Sequence, residues 1–235
     1  MKKEVIIALD FSSYEQVVEF LDKFGDEKIF VKVGMELFYS AGLKIIKEIK
    51  RRGHKIFLDL KMHDIPNTVK KASAVLSELG ADITNLHAGG GIEMMKAAIQ
   101  GLTKEDGTRP LLIAVTQLTS TSQEQMNNDL GILGDIGDVV IKYAKNAKEA
   151  GLDGVVCSPL EAADVKKHCG EDFITVTPGI RFADESKDDQ KRIATPSNAG
   201  DMGCDYIVVG RSITGAADPV ANYKRCVNEF VKGVN

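Results

Sequence analysis

Eight short apolar runs rich in β-branched residues recur along the 235-residue chain, each followed by a stretch that carries helix signals. They occupy residues 5–9, 29–33, 56–60, 83–87, 111–115, 154–157, 174–176 and 206–209. Their nearly continuous apolar character is that of parallel strands covered on both faces. Between them, Ser12 with Glu15 has the spacing of a capping box, and Ser158-Pro159-Leu160-Glu161 adds proline at the first helical position. Asp218-Pro219 opens the last helix in the same manner. Gly53, Gly80, Gly151, Gly170 and Gly203 each stand just before a strand, where glycine accepts the left-handed conformation that ends a helix. Eight strand–helix units in this length predict an α/β fold, a closed (β/α)8 TIM barrel forming one domain over residues 1–235. An open doubly wound sheet would want a GxGxxG turn after the first strand, and Asp10-Phe11-Ser12-Ser13 stands there instead.

Charge narrows the partners. The formal net charge is -4, so nothing suggests the basic surface that nucleic acid or an anionic membrane would select. An anionic substrate must then be held by a local cationic pocket. Cys157, Cys169, Cys204 and Cys226 include no CxxC pair, which leaves out a zinc knuckle or redox motif and fits reduced thiols in the cytoplasm. The apolar run after Lys2 and Lys3 stops at Asp10, too short for a secretory signal. No segment approaches the roughly 20 apolar residues of a membrane span. The expectation is a soluble, cytoplasmic enzyme.

In such a barrel the chemistry sits at the C-terminal ends of the strands. Asp10 ends the first strand, Lys32 lies within the second, and the third runs Phe57-Leu58-Asp59-Leu60-Lys61. Alternation places Asp59 and Lys61 on one side, facing the barrel mouth, and Leu58 and Leu60 toward the helices. One Asp–Lys pair alone reads as a structural ion pair. Asp10 and Lys32 at equivalent ends of adjacent strands turn the pair into a site, because four inward charges are costly unless they serve one another.

A phosphate site is the second signal. Thr177-Pro178-Gly179-Ile180-Arg181 follows strand seven and Val209-Gly210-Arg211-Ser212 follows strand eight, the two loops that bind phosphate in this fold. Glycine lets backbone N–H groups approach the oxygens, and arginine supplies a planar charged fork. The long polar stretch 178–194 reads as a lid over the site, with Gln190 suited to touch substrate through its amide. The run from Thr116 to Ser122 leaves two readings open: hydroxyls that cap the next helix, or a hydroxyl that meets a polar ring on the substrate.

Asp59-x-Lys61-x-x-Asp64-Ile65-Pro66-Asn67-Thr68 resembles the signature of the orotidine 5′-monophosphate decarboxylase family. The resemblance extends through Ala8-Leu9-Asp10, Val31-Lys32-Val33-Gly34, Leu118-Thr119-Ser120 and both phosphate loops, and so covers essentially the whole chain. It implies a catalytic set of Lys61, Asp59, Lys32 and Asp64. By this resemblance Lys61 is the proton donor and Asp59 lies against the substrate carboxylate. Lys32 holds Asp59 and the ribose, Asp10 binds the ribose or ring region, and Thr119 contacts the pyrimidine. Arg181, Gln190, Gly210 and Arg211 hold the phosphate, with Pro178 in the same substrate-binding loop. The resemblance further implies a homodimer in which Asp64, Ile65 and Thr68 reach into the neighbour's site, no metal or cofactor, and UMP as product.

Two rivals share the barrel. A sugar-phosphate decarboxylase or aldolase would use magnesium to stabilise an enediolate and would want an acidic residue where Lys32 stands. A non-catalytic nucleotide-binding barrel has no need of an inward lysine between carboxylates. His63 reads as a solvated loop residue, His87 as packed or lining the site, and Met94 and Met95 as core.

Overall fold

Why the apolar runs are continuous becomes plain once they are paired. In a computed structural model, which describes residues 3–184 and 194–233, eight parallel strands close into a barrel. They are β1 (Glu4–Ala8), β2 (Phe30–Gly34), β3 (Lys55–Met62), β4 (Ile83–His87), β5 (Leu111–Val115), β6 (Gly154–Val156), β7 (Ile174–Thr177) and β8 (Tyr206–Val209). Each pairs with the next, and β8 closes on β1 with Val5 beside Ile207. Alternate residues then enter two separate cores. Ile6, Phe30, Phe57, Ile83, Ile113 and Val176 fill the barrel, while Ile7, Val31, Leu58, Leu112, Val155 and Val209 pack outward on the helices. Burying an aliphatic side chain on either face contributes about 1.5–3 kcal/mol, so neither face tolerates polar alternation. No helix among the described residues is long and apolar enough to cross a membrane.

The expected punctuation is present at most positions. Ser158 and Glu161 form a reciprocal box, Asp218 accepts from the Ala221 N–H at 3.0 Å, and Gly53, Gly80, Gly151, Gly170 and Gly203 all have positive φ. The first cap is displaced by one residue, and no reciprocal box forms there. Ser13, not Ser12, caps the helix Tyr14–Asp22, accepting from the Gln16 N–H at 3.3 Å. Val17, Phe20 and Leu21 must face the core, and that requirement sets the helix start one residue later.

A pattern not anticipated from the sequence reinforces the lower rim. Gly80-Ala81-Asp82, Gly151-Leu152-Asp153 and Gly203-Cys204-Asp205 each precede an even-numbered strand. Every one of these carboxylates accepts the N–H of the second residue of the preceding strand: Ile56 at 2.8 Å, Leu112 at 2.7 Å and Thr175 at 2.9 Å. Each also meets a cation, Lys50, Arg109 and Lys166 respectively. Charge-assisted bonds at a strand end satisfy a donor that the ladder leaves over. The bottom of the barrel is thereby tied together, away from the mouth that holds the reactive groups.

Candidate active site

Four charged side chains meet at the top of β1, β2 and β3. The Lys32 ammonium lies 3.1 Å from Asp10 and 3.5 Å from Asp59, and Asp59 in turn accepts from Lys61 Nζ at 2.6 Å. The order Asp10–Lys32–Asp59–Lys61 alternates in sign, so each charge has an opposite neighbour. Asp59 is the most enclosed, its side chain 10% exposed, against 24% for Lys61 and 62% for Asp10. Burial pushes the Asp59 carboxyl up, but Lys32 first, then Lys61 and the hydrogen bonds from Lys61 and Asn85, more than offset it. Its pKa therefore lies below the ordinary carboxylate value, and the group is an anion at neutral pH.

The third strand is irregular at this pair. The β3–β4 register shifts between Leu58 and Met62, and Lys61 has φ 50°, making it the one non-glycine residue with positive φ among the described residues. For an L-residue that conformation costs roughly 1–2 kcal/mol and needs support. The support is Asn85, fully buried on β4, whose Oδ1 accepts from the Lys61 backbone N–H at 2.9 Å. The sequence motifs did not single out Asn85. A polar residue midway along the apolar run Ile83-Thr84-Asn85-Leu86 was the available signal.

The cluster opens into a cavity of about 540 Å³, within the range of small-ligand sites. Val156, Val176, Val208, Thr119, Pro178, Gly179, Arg181, Gly210 and Arg211 also line it. A Cβ on Gly210 would lie 3.8 Å from the Asp10 carboxylate, so the loop after β8 that carries Arg211 adjoins the charge cluster around the closed barrel. Gly210 stands ahead of the short helix Arg211–Thr214, the arrangement with which this fold binds phosphate. Gln117 and Ser120 also line the cavity and were not assigned a role from the sequence. The hydroxyl run divides between its two readings: Ser122 caps the helix Gln123–Asn128, whereas Thr119 faces the cavity.

Asp64, Ile65 and Thr68 are not brought to this cavity. They are exposed on the rim where β3 leads into the helix Pro66–Ser77, and the Asp64 carboxylate accepts from the Ile65 N–H at 2.6 Å. Gln190 and most of the expected lid fall on 185–193, outside the described residues. His63 is exposed, with its ring centroid 5.7 Å from that of His87. Burial, with His63 and Lys61 nearby, pushes the His87 pKa down. Met94 and Met95 are buried in core, as expected.

Comparison with known proteins places this geometry. The family model for orotidine 5′-phosphate decarboxylase / HUMPS matches residues 3–226. A protein from Geobacillus sp. (strain WCH70) named orotidine 5′-phosphate decarboxylase is 53% identical, with 98% of each chain covered. One of the same name from Bacillus anthracis is 55% identical, with 95% of each covered. The crystal structure of orotidine 5′-phosphate decarboxylase from Lactobacillus acidophilus superposes with a TM-score of 0.87 at 46% identity, covering 97% of this chain and 99% of that one. With a closed barrel, an alternating charge cluster and near-complete matches of this kind, the chain belongs to the orotidine 5′-phosphate decarboxylase / HUMPS family.

Proposed function

We propose that this chain decarboxylates orotidine 5′-monophosphate to UMP in pyrimidine biosynthesis, without metal or cofactor, with Lys61 as the group that stabilises and then protonates the carbanion. The observation that carries the reading is the Lys61 ammonium, fixed 2.6 Å from Asp59 in a cavity that Arg181 and Arg211 also line. A nucleotide with its phosphate at the arginines and its ring carboxylate at Asp59 and Lys61 spans that cavity.

Heterolysis of the C6–carboxylate bond releases CO₂ and leaves an electron pair in the ring plane at C6. Little of that charge delocalises into the ring, so the protein must supply the stabilisation electrostatically. Two unit charges about 3.5 Å apart interact by roughly 5 kcal/mol at an effective dielectric of 20. Each 1.4 kcal/mol or so of selective stabilisation is a tenfold rate gain. An ammonium already held in place adds no reorganisation cost, and its proton then completes the C6–H bond. Asp59 against the substrate carboxylate adds ground-state repulsion, with the phosphate grip holding the strained complex together. Electrostatic stabilisation is the larger contribution in this account.

The remaining parts follow the same reading. The enzyme works in the cytoplasm as a homodimer, with Asp64, Ile65 and Thr68 of each subunit completing the partner's site. Their exposure on the rim, beside but outside their own cavity, supports this. Against a magnesium-dependent sugar-phosphate enzyme stands Lys32, whose ammonium lies 3.5 Å from the carboxylate a dication would need. A direct absorbance assay with orotidine 5′-monophosphate tests the proposal. Turnover that persists in a chelator is expected; no turnover, or turnover abolished by the chelator, overturns it.

A further inference from the structure

We infer that Asn85 is a positioning residue for the Lys61 ammonium, one planar amide that holds both the backbone and, through Asp59, the side-chain end of the same lysine. Its Oδ1 accepts from the Lys61 N–H at 2.9 Å, and its Nδ2 donates to Asp59 Oδ1 at 2.7 Å. That same oxygen accepts from Lys61 Nζ at 2.6 Å. The three bonds close a ring that begins and ends on one residue.

Several facts support a role beyond filling space. Asn85 is fully buried in the barrel, where an apolar residue packs without needing partners, and burying an amide is unfavourable unless it is fully bonded. Its orientation is determined: flipped, the NH₂ would face the Lys61 N–H and the oxygen would face a carboxylate. The residue it holds is the one with the strained backbone. A free lysine side chain samples many rotamers, and a misplacement of about 1 Å at a reacting group can cost on the order of 100-fold in rate. Neither phosphate loop touches Asn85 in any hydrogen bond of the described residues. Asn85 borders the cavity but is fully buried with its amide turned to Lys61 and Asp59, so its loss is a loss of aim rather than of substrate affinity.

The inference rests on Lys61 being the proton donor of the proposed reaction, and two variants test it. Asn85→Leu removes both bonds at similar volume: kcat should fall by about 100-fold, with the KM for orotidine 5′-monophosphate within about threefold of wild type. Asn85→Asp keeps the shape and the acceptor, and it donates to Asp59 only while the introduced carboxyl is protonated. The charges facing that position are Asp59 and Lys61 from β3, Lys32 from β2 with Asp10 behind it, and the His63–His87 pair. The four charges of the cluster sum to zero and the one in contact is the Asp59 anion, so burial and Asp59 together raise the pKa of the introduced group. Its kcat, taken as a ratio to wild type at each pH, should therefore recover as pH falls from about 8 to about 5. A merely structural role moves neither the kcat–KM split nor this ratio. If Asn85→Leu does not fold, the near-isosteric Asn85→Asp decides alone, and a flat ratio overturns the inference. A wild-type chain inactive on this substrate removes both readings; an active wild type with an indifferent Asn85→Leu removes this one only.

Discussion

A Cβ placed on Gly34 would lie 3.1 Å from the Lys32 ammonium. Gly34 ends β2 directly beside Asp59 in the β2–β3 register, so the missing side chain is what lets Lys32 lean between Asp10 and Asp59. Gly34→Ala meets only the end of a flexible chain, and the fold should absorb it. The ammonium has to move, however, and Asp59 then loses one of its two cationic neighbours. The expected outcome is a melting temperature within a few degrees of wild type and a kcat lowered by roughly tenfold, or about 1.4 kcal/mol. Unaltered turnover would show that Lys32 has slack the geometry does not suggest.

Lys61→Ala deletes the proposed proton donor and the charge that faces C6. Turnover should drop by many orders of magnitude while the nucleotide still binds, since Arg181 and Arg211, on the loops after β7 and β8, are untouched. Single-turnover measurement alongside UMP titration separates the two. Normal turnover in the variant would remove Lys61 from the mechanism.

Arg211→Ala should act in the opposite sense, chiefly raising KM. A loss confined to a remote grip leaves a gap that a small cation can fill, so added guanidinium should restore part of the activity. An unchanged KM would take the phosphate away from the loop after β8.

Much of this arrangement is legible in the amino-acid sequence, and the exceptions share a cause. The strands stand within one or two residues of the apolar runs because burial on both faces makes them continuous, too short for helices, and bounded by glycines and caps. Asp10, Lys32, Asp59 and Lys61 are legible because charges turned inward at strand ends are too costly to persist unless they serve a site. Asn85 is not, since an amide inside a strand announces nothing until the bulge at Lys61 is known. Asp82, Asp153 and Asp205 escape likewise: their role depends on which residue of the neighbouring strand stands beside them, a matter of register rather than composition. The first cap slips because two consecutive serines, followed by Glu15 and Gln16, offer two boxes of equal quality.

Asp59 also couples the site to stability. Its folded pKa lies below the unfolded value of about 3.9, so its ionised form contributes stability that is fully present above that value. The contribution is lost as pH falls through the lower folded value. Thermal melts of wild type and Asp59→Asn should therefore differ by a constant margin from about pH 8 to 5 and converge below about pH 4. Convergence that begins near pH 6 would mean that the pKa of Asp59 is raised, not lowered.

The rim residues make the last test. Asp64 lies outside its own cavity, whereas Lys61 lies within it, so in the proposed homodimer each complete site draws Lys61 from one chain and Asp64 from the other. Lys61→Ala and Asp64→Ala should each be nearly inactive alone. Mixed and allowed to exchange subunits, half of the dimers are hybrids, and each hybrid carries one site with both residues intact. Activity should then rise toward a quarter of wild type per site, which follows from random pairing. If each chain built its site from its own residues, mixing would restore nothing, because every site would still lack one of the two side chains.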